Sequence, residues 1–69
     1  MQMMVAAEPV QFLAPDHTAW TVHEIRDPHN ERGYCLIFVS EHGFRRVREY
    51  PTEWRELSPL DLWALSWNR

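Results

Sequence analysis

Lysine is absent from this chain of 69 residues, cysteine occurs once and glycine twice. Each scarcity excludes something. A single cysteine, Cys35, cannot form a disulfide within the chain. Its place inside an apolar run reads as a buried small hydrophobe in a reducing compartment. Gly33 and Gly43 are the only glycines, so there is no Gly-rich phosphate loop. No apolar run approaches the roughly 20 residues needed to cross a bilayer. Met1 to Ala7 lacks the basic n-region of a signal peptide. Together these absences lead us to expect a cytoplasmic protein with no membrane partner. Without lysine, every base is an arginine, whose planar fork pairs with carboxylates and stacks on rings. That suits interfaces, although nucleotide composition is the simpler cause of the same bias. The formal net charge of -3 argues against nucleic acid as the default ligand.

Aromatic bulk is what the chain has in quantity. Trp20, Trp54, Trp63 and Trp67, with Phe12, Phe38 and Phe44, each bring about 150–250 Å² to a core or a partner. They matter because a chain this short buries only about 60% of its unfolded surface. Without staples or metals, such a core rarely supplies more than about 3–5 kcal/mol.

The longest apolar run is Tyr34-Cys35-Leu36-Ile37-Phe38-Val39-Ser40, rich in β-branched and aromatic residues. It predicts a central strand. One face carries Tyr34, Leu36, Phe38 and Ser40; the other carries Cys35, Ile37 and Val39. Both faces are apolar, so one C-terminal helix covers one of them and leaves the other to the N-terminal segment, to long side chains or to a partner. Upstream, Val10 to Leu13 is a short strand candidate. Ala19 to Arg26 alternates, with Trp20, Val22 and Glu24 on its better core face. Asp27 to Gly33 is the clearest loop, either mobile or shaped by a contact. Downstream, Glu41-His42-Gly43 reads as a tight hairpin connection, with Gly43 free to take positive φ. The returning strand, Phe44 to Tyr50, places Phe44, Arg46, Arg48 and Tyr50 on one face, and Arg45, Val47 and Glu49 on the other. Pro51 ends it.

Thr52 to Leu57 predicts a short helical turn capped by Thr52, with Trp54 and Leu57 on one side. Ser58-Pro59-Leu60-Asp61 is a helix start, with Ser58 as N-cap, Pro59 in the first position and Asp61 in the first turn. The helix is expected to run to about Trp67 or Asn68. Its main stripe is Leu60, Trp63, Ala64 and Trp67; Leu62 and Leu65 fall on nearly the opposite side. The expected fold is therefore α+β. It is a small antiparallel three- to four-stranded β-meander with a C-terminal α-helix packed on one face, over residues 10–69. Residues 1–9 precede it as a segment that either frays or docks.

Trp20-x-Val22-x-Glu24, the strand Leu36 to Val39, Arg45-Arg46-x-Arg48-x-Tyr50-Pro51-x-x-Trp54, Leu57-Ser58 and Leu62 form a pattern. It resembles short bacterial proteins catalogued as hypothetical. The resemblance implies a bacterial origin and no activity, so it carries over no functional residue.

Side-chain chemistry narrows the function further. His17, His23, His29 and His42 share no short spacing, and a zinc site would need four ligands gathered from separate loops. Cys35 sits among Tyr34, Leu36 and Ile37, not in the electropositive, partly exposed setting of a reactive thiol. We therefore assign no catalytic residue, cofactor or metal, and expect a non-enzymatic protein-interaction module, as a homodimer or a subunit of a larger assembly. Its partner surface would be Phe44, Arg46, Arg48 and Tyr50 with Leu62 and Leu65. The alternative is a small RNA- or DNA-binding domain using Arg45, Arg46 and Arg48. The bland reading of those arginines is a solvated edge strand paired to Glu24 or Glu49.

Overall fold

The computed structural model describes residues 8–67. The expectations for Met1 to Ala7, and for a helix end at Asn68, lie outside the described residues. Four strands, β1 (Val10–Leu13), β2 (Ala19–Arg26), β3 (Tyr34–Ser40) and β4 (Gly43–Val47), form one sheet in the order β1-β2-β3-β4. Each pairs antiparallel with the next. A 3₁₀ turn at Trp54–Glu56 leads to the helix α1 (Pro59–Leu65). The fold is a small α+β domain, an open meander with one C-terminal helix.

Local chemistry explains the connections. Between β1 and β2, the Ala14 N–H donates to the Thr18 carbonyl at 2.9 Å, and the Thr18 N–H donates to Asp16 Oδ1 at 3.0 Å. The Thr18 N–H, with the Thr18 side chain, holds the Asp16 carboxyl below its ordinary range by donating to it. Between β3 and β4, Ser40 lies opposite Gly43, whose φ of 131° is open only to glycine without strain. The Ser40 hydroxyl accepts from the His42 N–H at 3.0 Å. At the helix start, Ser58 is the N-cap and its hydroxyl accepts from the Asp61 N–H at 3.2 Å, with Pro59 in the first helical position.

Register decides the core. Val22 lies opposite Phe38, and Leu36 opposite Val47. Phe12 and Trp20 add to the same face, and Phe12 meets Phe38 edge-on at 6.2 Å. Tyr50, Trp54 and Leu62 close over it. The expected core face of β2, Trp20 and Val22, is the one that is buried.

Three details differ from the sequence reading. Leu62 is buried and Leu65 packs against the core, while Leu60 and Trp67 are exposed. The helix thus docks through Leu62, Leu65 and Ser66, an i, i+3, i+4 stripe, while Trp63 of the expected stripe also packs against the core, its ring 6.0 Å from that of Trp20. Leucine has no polar atom to satisfy, whereas the Trp63 and Trp67 indoles do better at the boundary, where their faces meet a cation. Second, Tyr50 does not share the face of Phe44 and Arg46. β4 ends at Val47, alternation lapses over residues 48–50, and Tyr50 turns into the core. Third, Thr52 does not cap the 3₁₀ turn; Glu53 precedes it and makes no side-chain cap.

The helix orientation can be checked by denaturant unfolding. Leu62→Ala is expected to lose about 2–5 kcal/mol, most of what a domain of this size holds. Leu60→Ala, at an exposed position, should stay within about 0.5 kcal/mol.

Candidate functional site

The sheet has one covered face and one open face. The open face follows from alternation and register: Leu13 beside Ala19, His23 beside Ile37 beside Arg46, and Thr21 beside Val39 beside Phe44. Leu13 is 61%, Val39 39% and Phe44 64% exposed, and Ile25 at the far end is 42% exposed. Ile37 is half-buried between them. No described helix or strand packs over Leu13, Val39 and Phe44, whereas at the Ile25 end Cys35, on the same face, is buried beside Asp27. The hydrophobic effect disfavours leaving exposed apolar side chains of this size in water.

The other margin of the sheet is closed by a polar clasp. The β2–β3 loop, expected to be mobile or shaped by a contact, is held by contacts to residues 48–50. Arg48 Nε donates to Asp27 Oδ2 at 3.1 Å, and Asn30 Nδ2 donates to the Arg48 carbonyl at 3.1 Å. Arg32 donates to the Tyr50 carbonyl, and its guanidinium lies 4.5 Å from the Tyr50 ring centroid. The Tyr50 hydroxyl donates to Glu24 Oε2 at 2.6 Å. Burial, and then the Glu24 carboxylate beside it, push the Tyr50 hydroxyl well above its ordinary pKa. It therefore stays a donor.

Asp27 is buried. Burial by itself would raise its pKa, but the bonds from Arg48 and the His29 N–H prevail and hold the carboxyl below its usual range. Cys35, 1% exposed, lies beside this carboxylate. Burial, and then the Asp27 charge, push the thiol's pKa up, which favours its protonated form. Among the described residues, no group of three or more His, Cys, Asp or Glu side chains is placed to hold a metal ion.

Arg45 belongs to the core side of β4, with Val47, and is surrounded by indoles. Its guanidinium lies 3.8 Å from the Trp67 ring centroid, 4.8 Å from Trp20 and 5.1 Å from Trp63. Arg45 Nη1 donates to Ser66 Oγ at 3.1 Å, tying the helix end to the edge strand. The Trp63 and Trp67 rings meet edge-on at 5.5 Å.

The expected partner surface of Phe44, Arg46, Arg48, Tyr50, Leu62 and Leu65 is therefore not one surface. Phe44 and Arg46 share the open face. Arg48 is half-exposed but ion-paired to Asp27. Tyr50 and Leu62 are interior, and Leu65 lines the helix contact. Glu24, expected as an acid for the arginines, takes Tyr50 instead. The sequence reading missed the Asp27–Asn30–Arg32 clasp and the tryptophan cage. A signal for the cage was available: Arg45 shares parity with Val47 and so had to reach the core side, where a cation needs rings or an acid.

No family model, curated protein or solved structure matches the chain.

The clasp and the β1–β2 turn have a pH signature. Asp27 and Asp16 are lowered in the native state, so the unfolded chain binds more protons below about pH 4. Stability is then full above that pH and falls as the pH drops through the native values. Urea midpoints measured between neutral and acidic pH should show this loss, and Asp27→Asn should make it shallower while lowering stability at neutral pH.

Proposed function

We infer that this chain is a non-enzymatic interaction module that buries the open face of its sheet against protein, as a homodimer or as a subunit of a larger assembly. One observation carries the reading: Leu13, Ile25, Val39 and Phe44 lie exposed on a face with no covering helix or strand among the described residues. Aromatic and arginine residues such as Phe44 and Arg46 are also the types enriched at protein interfaces. The buried, protonated Cys35 thiol favours a binding role over nucleophilic chemistry.

The nucleic-acid alternative draws less support. Arg45 is enclosed by three indoles and Arg48 pairs with Asp27, which leaves Arg46 as the one of the three without an internal partner among the described residues. A phosphate backbone is tracked by several cations at once.

Sedimentation equilibrium over a wide concentration range tests the reading. The wild-type chain is expected to be heavier than a monomer at high concentration. Val39→Glu, on the open face, should be monomeric with stability unchanged within about 0.5 kcal/mol. A wild-type monomer at every concentration removes the homodimer. An oligonucleotide bound with a steep salt dependence that Arg46→Glu abolishes would put the nucleic-acid reading first.

A further inference from the structure

A groove of about 290 Å³ is lined by Phe44, Arg45, Arg46 and Trp67. Successive strand residues point to opposite faces, so a groove touching three in a row runs along the strand's edge. β4 ends the strand order, so this is an unpaired edge. Every second residue there turns its backbone N–H and C=O away from β3. Phe44 walls the groove at 64% exposure and Trp67 at 53%.

The charge of the groove is as distinctive as its shape. The chain carries ten acidic residues and a net charge of -3, yet none of those acids lines this groove. Neither Arg45 nor Arg46 has a carboxylate partner among the described residues. Arg45 is held by Ser66 Oγ and by ring faces, which leaves Arg46 as the cation of this edge placed to receive an anion.

We propose that the β4 edge binds an acidic peptide segment in extended conformation, which adds to the sheet as a fifth strand. Its backbone would pair with the outward N–H and C=O groups of β4, its carboxylates, all on the open-face side, with Arg46, and its apolar side chains, all on the core side, with Trp67. A peptide matches the strand repeat of donors and acceptors along such an edge, whereas a nucleic acid does not. A second copy brings arginine and no acid to the same edge: twofold antiparallel pairing centred on Arg45 or Arg46 sets that residue opposite itself, and like charges directly opposite are destabilising. The proposal rests on the protein-binding reading above and uses the β4 edge, which shares Phe44 and Arg46 with the open face.

The probe is a fluorescein-labelled peptide in which Glu alternates with Val, followed by fluorescence anisotropy with the full chain. We expect binding that weakens with added salt, falls at least about tenfold in Arg46→Glu, and disappears when alternate backbone nitrogens of the peptide are methylated. Amide exchange in β4 should slow on binding. Circular dichroism would confirm that Arg46→Glu stays folded. No binding, equal binding by Arg46→Glu, or retained binding of the methylated peptide would overturn the proposal. So would tighter binding of an oligothymidylate, or a chain whose self-association protects β4. Leu13→Glu, on the open face of the opposite edge strand, should keep peptide binding while losing self-association, so the edge and the open face fail independently.

Discussion

Every strand here alternates apolar residues to both faces, and the chain has helical cover for one. That constraint shapes the rest of the molecule. Val22, Leu36, Phe38 and Val47 are sealed under Trp54 and Leu62, and each is 2% exposed or less. The opposite face keeps Val39 and Phe44 in solvent. A chain of this length cannot supply a second layer from its described residues, because Leu62 and the 3₁₀ turn are already committed to the first. The uncovered face is thus a geometric result of two-sided strands meeting one-sided cover.

The margins of the sheet are handled by polar chemistry in place of mass. At one end, Asp27, Asn30 and Arg32 hold the β2–β3 loop against residues 48–50, and Tyr50 closes the contact through Glu24. At the other, the Arg45 guanidinium sits among three indoles and reaches Ser66, so the helix end and the edge strand share one cation. Both devices use arginine for what lysine does poorly, a planar cation that stacks on rings and donates sideways. In a core with few apolar residues to spare, each such contact orders a segment that hydrophobic burial alone would leave loose.

The same devices sort the arginines by availability. Arg45 and Arg48 are held from within, and Arg46 projects from the open face beside Ile37 and Phe44. A basic strand in the sequence is therefore not a basic surface in the fold. What β4 presents is an edge flanked by two exposed rings, a feature suited to a polypeptide backbone more than to phosphates.

Much of this was legible from residue order alone. Alternation in Trp20-x-Val22, the apolar run from Tyr34, Gly43 after a two-residue turn and Ser58-Pro59 before the helix follow from local sterics and hydrogen bonding, which nearby residues decide. So the meander, its helix and the core face of β2 could be read directly, as could the excess of apolar sheet face over helix. Tertiary structure decided what local rules leave degenerate. The helix has two apolar stripes, and only its docking on the sheet put Leu62 and Leu65 inside and gathered Trp63 and Trp67 around Arg45. Alternation assigned Tyr50 to the Phe44 face, but it holds only while a strand continues, and pairing stopped at Val47. The clasp joins residues distant along the chain, and such contacts form only after the sheet has brought them together.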